Sequence, residues 1–213
     1  MKLPDINSPS TAVILADGAY PAGEMAAGTL AAAPWVVCCD GAADKFVARG
    51  GIPAAIVGDC DSLSPALRAR YADRLHAIAE QETNDLTKAV GFCIAHGRRD
   101  IVILGATGLR EDHTLGNISL LCQYRSRGCN VVMITDYGIF TPIEGEVAFD
   151  SFPGQQVSIY ALDPRTRLEF GGLRYQLADG CARSWWQGTL NESLGESFTV
   201  ASDGPAIVFR AFL

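Results

Sequence analysis

No apolar stretch in the 213-residue sequence approaches the ~20 residues that a membrane-spanning helix needs. The opening residues, MKLPDINSPS, hold Pro and polar groups and no apolar core, so neither a signal peptide nor a transit peptide is expected. A basic surplus is absent too. The net charge is −7, which argues against a nucleic-acid protein working through a basic face. It leaves room for a phosphate ligand, because a divalent cation can join acidic side chains to an anionic substrate. No C-x-x-C pair occurs among the seven cysteines, an odd number lying mostly in apolar stretches. Neither a disulfide framework nor a zinc site is expected, and a reducing, cytoplasmic setting is. Also missing are G-x-x-x-x-G-K-[ST], G-x-G-x-x-G after the first strand, G-x-S-x-G and H-E-x-x-H, so common routes to nucleotide, acyl and zinc chemistry lack support. Lysine is scarce: Lys2, Lys45 and Lys88 stand against fourteen arginines.

What is present is a chain with 48% hydrophobic residues, enough for a packed core. Continuous apolar runs at 11–16, 35–39, 54–57, 101–104 and 131–135 predict strands covered on both faces. Between them, 41–49, 65–72, 85–96 and 111–127 predict helices. The third carries a stripe of Leu86, Ala89, Val90, Cys93 and Ile94, the fourth one of Leu115, Ile118, Leu121 and Cys122. The alternation predicts βαβ units and a mainly parallel sheet, an α/β domain over residues 1–142. After residue 143 the helical stripes stop. Short β-type segments at 146–150, 156–161, 167–170, 188–191, 197–201 and 206–212, separated by Gly, Pro and Asp, predict a small all-β domain over 143–213. A module of that size has a marginal core, so it is expected to pack on the first domain or on a second subunit.

Three polar clusters carry the chemistry. Asp40 ends the second strand, and Asp59 and Asp61 follow the third in Gly58-Asp59-Cys60-Asp61-Ser62. Ligands of open α/β sheets bind beyond the carboxyl ends of strands, and carboxylates gathered there suit a hard cation such as Mg²⁺. Turn and cap chemistry is the plainer account of one D-x-D. The second cluster, 80–88, opens a helix and holds Asp85 and Lys88. A first-turn acid and an i,i+3 ion pair explain it simply, but a compact ammonium retained in an Arg-using chain suits a phosphate. The third, 105–117, places Gly105, Thr107, Gly108, Arg110, Asp112, His113 and Asn117 between a buried strand and a helix. Free N–H groups of such a turn receive an anion, and Arg110 can clamp it.

In this order the clusters resemble the thiamine pyrophosphokinase family. Asp40-Gly41-Ala42-Ala43-Asp44, Gly58-Asp59-Cys60-Asp61-Ser62, residues 81–88, and Gly105-Ala106-Thr107-Gly108 with Arg110, Asp112, His113 and Asn117 are similar to its motifs, as is 188–193 in the β module. The chain departs from the pattern at Glu80, Glu82, Asn84, Leu109 and Leu190. The resemblance implies diphosphate transfer from ATP to the hydroxyl of thiamine, with AMP released. It also implies a catalytic α/β domain, a β-sandwich thiamine domain and a homodimer with active sites between subunits. On that reading Asp59, Asp61 and Asp85 hold Mg²⁺, with Asp40 on the same rim, and Asp85 or Asp112 accepts the proton. Lys88, Thr107, Arg110 and His113 face ATP, and Asn191 and Ser193 face thiamine. Trp185 or Trp186 is a candidate to stack on the thiazolium, with core or interface packing an equal alternative. A sugar-nucleotide transferase using D-x-D, and a thiamine or nucleotide sensor without turnover, are the rival readings.

Overall fold

Each apolar run of the first two thirds becomes a strand because alternate side chains meet a helix layer on either face. The computed structural model describes residues 3–212. In chain order they form β1 (Thr11–Leu15), α1 (Glu24–Ala32), β2 (Val36–Cys39), α2 (Ala42–Val47), β3 (Ala55–Gly58), α3 (Pro65–Arg70), β4 (Leu75–Ala77), α4 (Asp85–Ala95), β5 (Asp100–Leu104), α5 (Glu111–Ser126) and β6 (Asn130–Ile134). Ala12, Ile14, Val37, Cys39, Ile101 and Ile103 pack with Leu86, Ala89, Val90 and Cys93 of α4 and Leu121 and Tyr124 of α5. Their neighbours Val13, Leu15, Val36, Cys38, Val102 and Leu104 pack with residues of α1, α2 and α3 on the other face. The two-residue side-chain period thus feeds two cores from the same strands.

The strands β4, β3, β2, β1, β5 and β6 lie side by side in that order, all parallel. Chain order runs outward in both directions from the β1–β5 junction. This is a topological switch point, where the loops leaving two neighbouring strands diverge and open a crevice. The four anticipated helices are present within two residues. Two further elements escape the sequence pattern: α1, an Ala-rich segment whose N-cap Gly23 offers no side chain, and the three-residue edge strand β4. The expected stripe on α5 also shifts. Leu115 is 54% exposed, and the buried residues lie in the last half of the helix, at Leu121, Cys122 and Tyr124.

The β module grows out of the same sheet. β7 (Gly138–Asp150) pairs antiparallel with β6 at its start and with β11 (Ser197–Ala211) along its length; β8 (Gln156–Ala161), β9 (Leu168–Gly171) and β10 (Asn191–Glu192) complete it. β7 runs unbroken through the expected boundary near Pro142 and Gly145. Beyond Phe140 its partner is β11, which leaves an open edge where a residue without N–H is tolerated. Opposite Gly145, β11 changes register between Ser202 and Ala206, so the segments expected at 197–201 and 206–212 are one bent strand. The segment expected as a strand at 188–191 is instead a 3-10 turn, Trp185–Gly188, leading into β10.

A separate apolar cluster holds the module, with Phe149 and Phe198 stacked at 5.1 Å and each 1% exposed. Phe198→Ala is expected to lower unfolding stability by about 3–5 kcal/mol. Urea titration checks it, and a loss below ~1 kcal/mol would show that this cluster does not hold the module.

Candidate active site

Asp17, Asp40 and Asp59 follow β1, β2 and β3, three adjacent strands, so the sheet itself sets their carboxylates in a row. A cavity of about 400 Å³ opens at this rim. Its acidic wall includes Asp17, Asp59 and Asp85; its opposite wall includes Thr107, Arg110 and His113. Lys88, Asn84 and Asn117 line it as well.

The acidic wall is built under strain. Asp40 and Cys60 hold left-handed backbone, φ 39° and 62°, costly for any residue but Gly. Arg68 donates to the Cys60 carbonyl and Asp59 Oδ1 accepts from Asp61 N at 3.1 Å, and both bonds support the turn. Gly58 sits in a crowded spot, where a Cβ would lie 3.0 Å from Asp40 Cβ and 3.4 Å from Asp85 Oδ1 and would press on both. Asp40 is buried. Its Oδ2 accepts from Ser62 Oγ at 2.5 Å, while its Oδ1 has no partner. Burial raises its pKa above the ordinary carboxylate value; the Ser62 hydroxyl opposes the shift, and the charges of Asp85 and Asp59 add to it.

Two lysines face this negative charge. Lys45 Nζ pairs with Asp17 Oδ1 at 2.9 Å and donates to the Gly18 carbonyl at 3.2 Å. Lys88, its side chain 3% exposed, lies 3.5 Å from Asp85 Oδ1. On the other wall Arg110 grips Asp112 through Nε at 3.1 Å and Nη2 at 2.5 Å, and His113 N donates to the same carboxylate. Those bonds hold Asp112 down to about 2, so it is a poor proton acceptor near neutral pH. Gly18 N donates to the Gly105 carbonyl at 2.6 Å and Ala19 N to Thr107 at 2.8 Å, packing the β1 exit loop against the anion-type loop.

The structure therefore brings Asp40, Asp59, Asp85, Lys88, Thr107, Arg110, Asp112 and His113 to one cleft or its margin. Asp61 stands apart from the lining, with its side chain 89% exposed and 3.8 Å from Arg68. Among the described residues no group of three or more His, Cys, Asp or Glu is close enough to hold a metal. The donor set nonetheless fits a hard cation. It is all carboxylate oxygen, and one buried oxygen, Asp40 Oδ1, is unmatched. Asn191 and Ser193 lie in the β module and are buried. The Asn191 amide accepts from Tyr175 N and donates to Tyr175 O, and Ser193 Oγ donates to Gly195 O. Trp185 and Trp186 are both exposed, and Trp185 also donates to the Ala161 carbonyl and packs edge-on to Tyr160. Asp17 escaped the sequence reading, although Asp17-Gly18 after β1 repeats Asp40-Gly41 after β2. Gln81, Thr83, Asn84, Thr114 and Asn117 also line the cavity without having been singled out for a role.

A parallel sheet with this cleft at its switch point, carboxylates on one wall and a Gly-rich turn on the other, defines an α/β protein carrying an appended β module. The family model described as the thiamin pyrophosphokinase catalytic domain matches residues 27–133, and that of the substrate-binding domain matches 138–209. The chain belongs to the thiamin pyrophosphokinase family. Thiamine pyrophosphokinase 1 of Oryza sativa subsp. japonica is 35% identical over 94 residues, 39% of this chain and 35% of that protein. The thiamine pyrophosphokinase of Bacillus subtilis (strain 168) is 41% identical over 76 residues, 34% of this chain and 36% of that protein. The matched segments thus span about a third of these relatives' length. A crystal structure of thiamine pyrophosphokinase from Bacillus subtilis superposes with a TM-score of 0.77 at 23% identity, covering 94% of this chain and 98% of that one. That of yeast thiamin pyrophosphokinase gives 0.76 at 16%, covering 98% and 87%. At these identities the structures show a shared fold.

Asp40 carries a sign-definite prediction. Its native pKa is raised, so the native state binds the proton more tightly than the unfolded chain, and stability is lost as pH rises past the ordinary value of 3.8. Asp40→Asn is expected to raise the melting temperature at pH 7. The gain should shrink as pH falls toward 3.8. Thermal melts across that range check it; a variant less stable than wild type at pH 7 contradicts the assignment.

Proposed function

We propose that this protein transfers a diphosphate group from ATP to the primary hydroxyl of thiamine, yielding thiamine diphosphate and AMP. One observation carries the reading: three clusters far apart in sequence, at 59, 81–88 and 106–117, line a single cleft at the switch point of the sheet. A sugar-nucleotide transferase has no use for the second and third clusters.

In this reaction the thiamine oxygen bonds to the β-phosphorus, the bond from that phosphorus to the α-phosphate oxygen breaks, and AMP leaves with that oxygen. Such transfers depend on positioning and charge stabilisation. Asp59 and Asp85, with Asp40 behind them, would hold Mg²⁺ together with phosphate oxygens. Asp61 would join by turning from its exposed contact with Arg68, a pairing worth little in water. Bound Mg²⁺ supplies charge neutralisation to the triphosphate. Lys88 presents a buried ammonium to the phosphates, and Thr107, His113 and Arg110 bind them from the opposite wall. Of the two candidate proton acceptors, Asp112 is paired with Arg110 and Asp85 with Lys88.

Thiamine is assigned to a surface shared with a second copy of the chain. Asn191 and Ser193 shape the β module rather than the cleft lining, and Asn191 fixes the loop at Tyr175. That loop and the nearby chain expose Tyr175, Trp186, Leu190 and Leu194. A partner's module bringing such a face to the cleft makes the working unit a homodimer. Among the described residues no helix is long and apolar enough to cross a membrane. Six of the seven free thiols are buried, consistent with the assignment to a reducing cytoplasm.

Incubation with Mg²⁺, ATP and thiamine, read by mass spectrometry, is expected to give thiamine diphosphate and AMP; ADP or no turnover refutes the reading. Asp85→Asn should lower kcat by about 10²–10³-fold. Arg110→Ala should raise KM for ATP more than it lowers kcat, and unchanged ATP kinetics remove Arg110 from the site.

A further inference from the structure

Asp59, behind β3, and the anion-type loop, behind β5, are carried by strands that do not touch, whereas Asp17 follows β1, which pairs with β5. β1 and β2 lie between β5, which leads into the anion-type loop, and β3, behind the acidic wall. The sheet alone sets their separation only from below. A side-chain relay closes the gap at the rim. Asn84 is the N-cap of α4, its Oδ1 accepting from Thr87 N at 2.9 Å. The other end of the same amide, Nδ2, donates to Asn117 Oδ1 at 3.0 Å. Asn117 Nδ2 in turn donates to the Ala106 carbonyl at 2.9 Å. Each amide faces an N–H with its oxygen or a carbonyl with its nitrogen, so the relay has one consistent direction. One turn beyond Asn84, Thr87 Oγ1 meets the hydroxyl of the fully buried Tyr124 at 2.8 Å, a second contact between α4 and α5.

The relay ends beside the chemistry. Asp85 follows Asn84 directly and Thr107 follows Ala106, and all four line the cavity with Asn117. We propose that Asn84 and Asn117 are positioning residues that hold the acidic wall and the anion-type loop at working distance through this relay. They act on transfer through Asp85 and Thr107. The proposal rests on the diphosphate-transfer reading above. An error of about 1 Å between groups that position a reacting phosphate costs up to ~10²-fold in rate, so a relay of three hydrogen bonds has leverage beyond its own stability. Capping alone does not require it, since serine caps a helix as well as asparagine does.

The test uses the full chain with Asn84→Ser, which keeps a capping oxygen but lacks the amide donor, Asn117→Ala, and the double variant. Steady-state kinetics, melting temperature, and calorimetric binding of a non-hydrolysable ATP analogue with Mg²⁺ are measured on each. The melting temperature of Asn84→Ser should match wild type. Each single variant should lose about ten- to a hundredfold in kcat, and the double variant should be no worse than the weaker single, because one relay breaks only once. Analogue affinity should fall in the same non-additive pattern. Wild-type kcat and affinity in Asn84→Ser, losses that multiply, or a melting temperature that falls with the kcat of Asn84→Ser would overturn the proposal. If wild type makes no thiamine diphosphate, the functional reading fails, and the pattern in analogue affinity decides the relay by itself.

Discussion

Carboxylates held together at neighbouring strand ends are the constraint on which this structure turns. Adjacent strands lie ~4.8 Å apart, so the acids leaving β1, β2 and β3 are spread along one rim of the sheet. Like charges at that spacing repel, and burial at Asp40 adds a desolvation cost. The fold tolerates this with left-handed backbone at Asp40 and Cys60, a glycine at 58 that makes room, and two lysines drawn in as counter-ions. One oxygen of this rim, Asp40 Oδ1, is still left without a partner.

The lysines illustrate how an acidic protein receives an anion. Asp17 and Asp85 take up Lys45 and Lys88 before any substrate arrives, so neither ammonium is a free attractor. Arg110 is likewise engaged by Asp112. On the proposed diphosphate-transfer reading, incoming phosphate would compete with internal carboxylates for each cation, and a bound metal would shift that competition by occupying the carboxylates.

The β module is an extension of the catalytic sheet rather than a body on a linker. β7 leaves β6 antiparallel and carries the sheet into the module, and the bend opposite Gly145 marks where a second apolar cluster takes over. A module of about seventy residues, marginal alone, gains a continuous backbone ladder from the larger domain.

Much of the fold was legible because burial on both faces leaves unbroken apolar runs, and four helices announced themselves by caps and stripes. α1 and β4 were not, since an Ala-rich helix without a capping side chain and a three-residue edge strand lack periodicity. The strand-end acids and the Gly-rich turn were legible as chemistry because Asp after a strand and Gly before a helix have few other uses in such density. Their meeting at one rim was expected from the rule that ligands bind beyond the carboxyl ends of strands, but which of them line the cleft was not legible. Sequence by itself determined which residues could bind a cation or a phosphate and which segments could be strands, for those are properties of side chains and local period. Tertiary structure alone decided the order of the strands. That order put Asp17 into the row and joined Asn84 to Asn117 across 33 residues. Strand order is set by packing among distant elements, and no local pattern records it.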